Sequence, residues 1–321
     1  MEIKCMDHDL VLRFIEKSCE KANGQAFDFI NLMNDKREIV YHYTKIPILE
    51  KIFLPDKISL QLSKSTFTND PSESLSLIKF LEVNKKIISQ CLENGCREKF
   101  LESCKKKIEE RNNEIIEIPN YLDGYVFSTT YLKDSFAFWN KKYAGKSGIA
   151  IGFYKEAIKE ILSNKEPNDD LMDVIYIDPF YEIKDKKNVY LQHIVWLITK
   201  IYDDNESNSM INEYGLLEIV IQCLSIYFKH KSWDYEKESR IVQFKPPKDL
   251  KKDESQIKFT KKGITQISYS ELDKDAIASI IFGPNCKEAQ IQAVKDYLKE
   301  NKYDVDKITF ERSTAFDLQY R

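Results

Sequence analysis

The stretch from Lys231 to Phe244 constrains the fold of this chain more than any other. It reads Lys-Ser-Trp-Asp-Tyr-Glu-Lys-Glu-Ser-Arg-Ile-Val-Gln-Phe and is followed by Pro246 and Pro247. Its last residues are rich in β-branched and aromatic side chains, which favour strands, and the two prolines cannot continue a ladder of backbone hydrogen bonds. The pattern therefore predicts an extended segment that ends near Phe244.

Charged side chains share one face of this predicted strand. Because side chains alternate along a strand, Glu236, Glu238 and Arg240 would project to the same side as Val242 and Phe244, with the Cα atoms of the glutamates roughly 6–7 Å apart. Two carboxylates and a guanidinium beside apolar residues are costly unless the charge is used, so the pattern indicates a functional site. The alternative is a helix end, where Glu236 and Arg240 would form an ordinary i,i+4 surface pair.

Strand and helix signals surround this stretch. Their order predicts an α+β fold, with a mixed, mostly antiparallel sheet core of about six to nine strands and with packed and inserted helices. The predicted strands are 39–44, 57–62, 124–130, 148–153, 173–177, 256–260 (a hairpin partner), 276–282 and 306–311, and the predicted helices are 48–53, 75–113 with a break at 94–95, 155–162, 190–201, 212–228 and 287–300.

The same signals suggest a domain organisation. Residues 1–38 are predicted as an N-terminal helical segment, and residues 39–285 as an α+β domain of catalytic type with helical insertions at about 75–118 and 188–230. Residues 286–321 would add a helix and a strand that complete the same domain.

Composition excludes several classes of protein. The net charge of −3 argues against holding nucleic acid by bulk electrostatics, although a local basic groove stays open. Seven cysteines without C-x-x-C spacing indicate neither a disulfide framework nor a zinc ribbon, so we expect a reducing cytoplasm. No segment is apolar enough to predict a membrane span. No glycine-rich phosphate loop is present, so we do not expect a Rossmann or P-loop nucleotide site.

Four segments resemble the bacterial domain-of-unknown-function family 2971 over about residues 39–285. They are Tyr41-His42-Tyr43-Thr44, then Asn69-Asp70-Pro71-x-Glu73, then Phe127-Ser128 with Trp139 and Gly148–Phe153, and finally Trp233-x-Tyr-Glu-x-Glu238-x-Arg240. The resemblance implies an ADP-ribosyltransferase-like fold. Enzymes of that class consume NAD as a substrate without a glycine-rich loop, and no metal is expected.

The resemblance also implies positions for the site. His42 would occupy the polar position of the first core strand, Ser128 and Thr129 the second motif, and Glu236-Lys237-Glu238 the catalytic Glu-x-Glu. The chain departs from the class in having Ser-Thr-Thr where Ser-Thr-Ser is typical, and the segment from Asn69 to Glu73 has no counterpart. By resemblance the residues that bind NAD would be His42, Tyr43, Thr44, Ser128, Thr129, Tyr143 and Arg240, with Asn69, Asp70, Glu73, Trp139 and Trp233 as further polar or aromatic candidates.

Cleavage of the nicotinamide–ribose bond would use the two glutamates. A carboxylate beside the sugar stabilises the positive charge that develops on it and binds its 2-hydroxyl. We assign this role to Glu238 and the positioning or deprotonation of the acceptor to Glu236, with Arg240 fixing the carboxylates or a phosphate. His42 would bind the adenine-side ribose, and Tyr43 or Tyr143 would stack on nicotinamide.

Each assignment has a structural alternative. His42 is equally well read as a half-buried strand histidine bonded to a carbonyl, and Ser128 and Thr129 as turn residues at a strand end. Trp139 and Trp233 are more often core residues than substrate platforms.

Two other functions stay open. Asp70 and Glu73 could join Glu236 and Glu238 in an oxygen-rich Mg²⁺ site of a nuclease or hydrolase. A non-catalytic sensor or interaction protein in a defence system would also account for the chain. The expected function is an NAD-dependent enzyme that modifies a macromolecular acceptor, protein or nucleic acid, as a toxin or antiphage effector with a regulatory partner protein.

Overall fold

The computed structural model describes residues 38–64, 73–112, 123–140, 143–165, 169–188, 228–245, 256–260 and 263–315, together with residues 191–192, 194–196, 198–199, 202 and 226. The predicted helical segment at 1–38 lies outside this part of the chain except for its last residue. So does most of the predicted helix at 212–228, whereas the described residues within 190–201 are helical.

Twelve strands lie in the described part of the chain. Most are rich in β-branched or aromatic residues, which favour strands, but β5, Asp-Asp-Leu-Met-Asp, has none and is held by its pairing with β8. Their bounds are β1 Ile39–Thr44, β2 Ile58–Lys64, β3 Asp123–Thr130, β4 Ile149–Tyr154, β5 Asp169–Asp173, β6 Ile175–Ile177, β7 Phe228–His230, β8 Glu238–Lys245, β9 Gln256–Thr260, β10 Gly263–Leu272, β11 Ile277–Phe282 and β12 Thr309–Arg312.

Besides the helical residues within 190–201, five α-helices and three 3-10 helices have defined bounds in the described part of the chain. The α-helices are α1 Leu49–Ile52, α2 Glu73–Ser89, α3 Asn94–Asn112, α4 Lys155–Lys165 and α5 Glu288–Glu300, and the 3-10 helices are Ile46–Ile48, Lys231–Glu236 and Lys274–Ala276. In helix α5 the buried residues Ile291, Val294 and Leu298 recur at helical spacing, so one face of the helix packs on the sheet. None of the helices in the described residues is long and apolar enough to cross a membrane.

Ten of the strands form one sheet that branches at β3. The main path runs β12-β11-β4-β1-β3-β2-β10-β9, and β8 and then β5 extend from β3. Strand β1 pairs with β3 near Thr130, and β2 pairs with the other end of β3 near Val126. Both therefore pair with β3 at different heights, while β8 runs along the whole of β3. Strands β6 and β7 form a separate parallel pair.

The two faces of β8 contact different apolar cores. Ile241 belongs to a core with Leu60, Phe153 and Ile291. Val242 belongs to a second core, built largely on helices α2 and α3, that includes Phe100 and Ile226. Strand β8 is thus buried on both sides, so any charged group at its start is enclosed by protein.

The α+β class and the mostly antiparallel sheet are confirmed. Only the β11–β12 and β6–β7 pairs are parallel among the described strands. Helices α2 and α3 confirm the helical hairpin predicted at residues 75–113. The sheet is larger than the six to nine strands expected, because residues 169–173 and 263–272 add β5 and β10.

One prediction about strand pairing and one about the extent of a strand were wrong. Strand β9 pairs with β10 rather than with β8, because the short connection at 261–262 allows an immediate hairpin. The segment that begins at Lys231 is not extended throughout. Residues Lys231–Glu236 form a 3-10 helix, Lys237 has left-handed backbone angles of φ 44° and ψ 52°, and only then does β8 begin.

Candidate functional site

The start of β8 is fixed by backbone hydrogen bonds. The amide of Tyr131 donates to the carbonyl of Lys237 at 3.0 Å, and the amide of Val174 donates to the carbonyl of Glu238 at 3.0 Å. The hydroxyl of Thr130 donates to the carbonyl of Glu236 at 2.5 Å. The turn at Lys237 therefore lies between two neighbouring segments, and the glutamates on either side of it are held at defined positions.

Glu236 and Glu238 are brought together although they do not lie on one continuous strand. Both are buried, with exposed fractions of 6% and 5%. Both bind the ammonium group of Lys229, whose Nζ lies 2.6 Å from Oε2 of Glu236 and 3.0 Å from Oε2 of Glu238. The two carboxylates thus lie in one site, as the sequence led us to expect. Glu236 reaches this site through the 3-10 helix and the turn, however, and not through strand alternation.

Arg240 completes the ionic cluster from the same face of β8. Its Nε donates to Oε1 of Glu238 at 2.8 Å and its second terminal nitrogen donates to Oε2 at 3.1 Å. The guanidinium also donates to the carbonyl of Ile226. Strand alternation is responsible for this pair, because residues 238 and 240 share a face. Lys229, Glu236, Glu238 and Arg240 carry two positive and two negative charges, and we call them the ionic cluster.

The electrostatic surroundings keep Glu238 ionised. Burial alone would raise its pKa, but Arg240 and then Lys229 outweigh burial, and hydrogen bonds from Arg240 and Ser128 contribute in the same direction, so the pKa falls to about 2. For Lys229, burial would lower the pKa, yet the charges of Glu238 and Glu236 raise it above its ordinary value. Glu238 is therefore a fixed anion at neutral pH and a very weak base.

Aromatic side chains surround the ionic cluster. The hydroxyl of Tyr143 donates to Oε1 of Glu236, and burial followed by this hydrogen bond raises the pKa of Tyr143. The hydroxyl of Tyr176 accepts the amide hydrogen of Glu238 at 2.8 Å. Nζ of Lys229 lies 5.2 Å from the centre of the Trp233 ring, within the range of a cation–π interaction. Tyr143 is half-buried and Tyr235 is exposed, so this side of the cluster reaches the surface.

Ser128 marks a second route from the cluster to solvent. It pairs with Arg240 in the β3–β8 register, which puts both side chains on one face. Its hydroxyl hydrogen-bonds to Glu238, and its side chain is exposed. Of the donors that hold Glu238, the hydroxyl of Ser128 can be replaced by a ligand hydroxyl without breaking an ion pair.

His42 and Thr129 lie on the opposite face of the sheet. Tyr41 pairs with Thr130 and Thr130 pairs with Glu238, so by alternation the neighbouring residues 42 and 129 point the other way. His42 Nδ1 bonds the carbonyl of Ser128 at 3.0 Å, and the ring stacks on Phe127 at 4.2 Å between centroids. Burial lowers the pKa of His42. The structure thus matches the alternative reading of a strand histidine bonded to a carbonyl.

Three further candidates, Tyr43, Thr44 and Trp139, have structural roles. Tyr43 packs against Phe138 and Trp139, with ring centroids 4.8 Å and 4.9 Å away. Its hydroxyl donates to the carbonyls of Leu132 and Lys133. Trp139 is fully buried and its Nε1 donates to Asp134 at 2.6 Å. The ring centroid of Phe138 lies 4.7 Å from that of Tyr143. The aromatic group of Tyr43, Phe138 and Trp139 therefore packs against Tyr143 at the rim of the site. Thr44 is buried at the end of β1.

Asn69 and Asp70 lie outside the described residues, as does the side chain of Glu73, whose backbone begins α2. No group of three or more metal-ligating side chains occurs among the described residues. Glu236 and Glu238, which the Mg²⁺ hypothesis needs, already bind ammonium and guanidinium groups. A divalent cation at these two oxygens would have to displace Lys229.

Sequence reasoning missed Lys229, Tyr176 and Thr130. Lys229 lies at the boundary of a segment with helical spacing, and the sequence does not show that residues 228–230 form a strand beside β6. The available signal was a lysine that follows three apolar or aromatic residues in Ile226-Tyr227-Phe228-Lys229. The ammonium group of such a lysine must either extend to solvent or bind a carboxylate. Which carboxylate it binds depends on the tertiary structure.

Comparison with known families gives one match. The family described as Protein of unknown function (DUF2971) matches residues 139–241. The matched segment contains Tyr143 and the whole ionic cluster but not Ser128 or Thr130, so the resemblance to this family is confirmed over residues 139–241. Over the rest of the expected range, 39–285, the resemblance stays a prediction. No curated protein and no solved structure matches the chain. The ADP-ribosyltransferase-like fold stays a prediction.

Proposed function

We propose that the chain is an NAD-dependent enzyme of ADP-ribosyltransferase type that acts on a macromolecular acceptor. The observation that carries the proposal is the state of Glu238: it is a buried anion with a pKa of about 2, and the exposed Ser128 is its connection to solvent. Stabilisation of a cationic transition state requires a carboxylate that stays ionised in a site of low dielectric. Glu238 meets this requirement at any physiological pH.

The chemistry would proceed by loss of nicotinamide. The C–N bond between the ribose and nicotinamide breaks, nicotinamide leaves with the electron pair, and positive charge develops on the ribose. A ribose hydroxyl that replaces the hydroxyl of Ser128 would contact Glu238, whose negative charge stabilises that positive charge. The acceptor takes the place of the Tyr143 hydroxyl as the hydrogen-bond partner of Glu236. It then forms a bond to the ribose carbon and gives its proton to Glu236.

His42 and Thr129 are not part of this proposal, because they point away from Glu238. Tyr143 keeps a role at the rim, where its ring lies beside Glu236 and near Tyr235. Arg240 fixes the orientation of Glu238 by a two-pronged contact, a geometry that Arg provides and Lys does not. The proposed setting is the cytoplasm, and a toxin or antiphage role with a regulatory partner is proposed from the family resemblance.

The test is nicotinamide release from NAD by the purified chain, without added metal. We expect Glu238→Gln to reduce release by about 100-fold or more, the typical loss for removal of one group that stabilises transition-state charge. Glu236→Gln should reduce transfer to acceptors in a cell lysate more than it reduces hydrolysis. Thr129→Ala is the matched control, since this residue lies on the opposite face of the sheet.

Absence of nicotinamide release from the wild-type chain, with and without lysate, would contradict the proposal. Nucleic-acid degradation that requires Mg²⁺ would favour the nuclease hypothesis in its place. A cellular phenotype that persists in Glu238→Gln would favour the sensor.

A further inference from the structure

Lys229 is the residue through which the two glutamates are connected. Its Nζ contacts one oxygen of each carboxylate, and all three side chains are at most 8% exposed. The two Oε2 atoms therefore lie within about 6 Å of each other, a separation at which buried like charges disfavour joint ionisation. Without a cation between them, two such carboxylates share a proton.

Other charged groups do not replace Lys229 in this position. Arg240 faces the cluster from β8, but its fork is bound to Glu238 and to the carbonyl of Ile226. The neutral hydroxyls of Tyr143 and Tyr176 contact Glu236 and the amide of Glu238. Helix α2 packs against β7, and its Lys79 and Glu82 pair with each other. Ser128 supplies a neutral hydrogen bond to Glu238.

We propose that Lys229 is a positioning residue that keeps Glu236 and Glu238 ionised together and so holds Glu236 ready to accept a proton. The first part concerns the ionisation of the cluster alone. The second rests on the proposed function, in which Glu236 takes the proton of the acceptor. Nothing in the sequence motifs or in the family description assigns a role to Lys229.

The ionisation is tested by infrared spectroscopy at pH 7 on the full chain. We expect Lys229→Met to show the absorption of a protonated carboxyl group that the wild-type chain lacks, because one glutamate takes up a proton in place of the ammonium. The signal should disappear in the double variant Lys229→Met with Glu236→Gln. Lys231→Met, at an exposed lysine on the adjoining 3-10 helix, is the matched control and should resemble the wild type.

Folding of the variants gives a second readout. If Lys229→Met fails to fold, the proposal requires that the double variant with Glu236→Gln folds, because it removes one charge of each sign. Equal loss of folding in both variants would overturn the proposal. So would a folded Lys229→Met without the protonated carboxyl signal.

The catalytic part uses the pH profile of NAD consumption. Lys229→Arg, which keeps the charge, should retain activity within about tenfold, whereas Lys229→Met should lower kcat by about 100-fold or more with a smaller change in KM. Its activity should recover at alkaline pH, where the shared proton is lost. An unchanged pH profile would overturn the catalytic role. Absence of any NAD consumption in the wild type would contradict the proposed function. The infrared test would still decide whether Lys229 keeps both glutamates ionised.

Discussion

Two buried lysines on opposite faces of the sheet have different partners. Lys229 contacts two carboxylates directly. Lys155, at the start of α4, donates to the hydroxyl of Tyr131 at 2.5 Å, and that hydroxyl donates to Oδ1 of Asp173 at 2.5 Å. Asp173 pairs with Ser239, whose side chain points away from Glu238 and Arg240. The Lys155 group is thus a second polar cluster on the other side of β8.

The comparison shows how the number of carboxylates changes the role of a buried lysine. Around Lys155, the hydroxyl of Tyr131 contacts both the ammonium group and Asp173, and the chain passes from Lys155 into helix α4. This arrangement resembles a structural anchor. Around Lys229, two carboxylates need two cations, and removal of one cation leaves a buried charge that has to be neutralised by protonation. The ionic cluster should therefore lose more stability than the Lys155 group when one cation is removed.

Arg240→Met should have the largest effect on stability. It leaves Glu238 buried with one cation in place of two, and we expect a loss of about 3–5 kcal/mol in the free energy of unfolding. Denaturant unfolding measures the loss. Arg240→Lys, which keeps the charge without the fork, should lose less. A loss in Arg240→Met no greater than that of Lys155→Met would remove the distinction between the clusters.

The stability of the wild-type chain should fall in acid because of Glu238. Its pKa is about 2 in the folded chain against 4.5 in the absence of these contacts. Its contribution is therefore present above pH 4.5 and is lost as the pH falls through 2, and it amounts to about 3 kcal/mol. Unfolding measured across this range should show a shallower slope in Glu238→Gln. Asp173→Asn keeps Glu238 and should keep the slope, and the same slope in both variants would contradict the assignment.

Lys155→Met should have a smaller effect. It removes a hydrogen bond to the hydroxyl of Tyr131 and leaves that hydroxyl bound to Asp173, so we expect a loss of about 1–3 kcal/mol. Thermal or denaturant unfolding checks the value. NAD consumption per folded molecule should stay at the wild-type level, and a strong loss of activity would show that the two faces of the sheet are coupled.

Tyr143→Phe should have the smallest effect on stability, about 1 kcal/mol, because it removes one hydrogen bond at a half-buried position. Its effect should be on transfer to the acceptor, since Tyr143 donates to the oxygen of Glu236 that the acceptor would approach. Nicotinamide release measured with and without lysate separates transfer to an acceptor from hydrolysis. Tyr43→Phe, in the adjoining aromatic group, is the control and should leave the ratio of transfer to hydrolysis unchanged.

The sequence predicted the parts of the site that depend on local geometry. The joint placement of Glu238, Arg240 and Val242 on one face follows from the two-residue repeat of a strand, which holds in any fold. The same repeat predicted β1, β3, β4 and β11, and the 3.6-residue repeat predicted α5. The α+β class followed from the order of these elements.

Other features depend on contacts between distant segments. The sequence around Lys237 did not show a left-handed turn, because a non-glycine residue adopts it only where the surrounding structure compensates for the strain. The opposite orientation of His42 follows from the register of β1 against β3, which is a long-range pairing. Motif order along the chain placed His42 and Glu238 in one site, whereas register places them on two faces.

What the sequence by itself determined was the class of the fold, most of its elements and the Glu238–Arg240 pair, because these follow from side-chain periodicity over a few residues. Tertiary structure alone decided that Lys229 lies between the two glutamates, that Tyr143 meets Glu236 across 93 residues of chain, and that the sheet branches at β3. These contacts join segments whose spacing in sequence carries no information about their spacing in the fold, so only the packed sheet determines them.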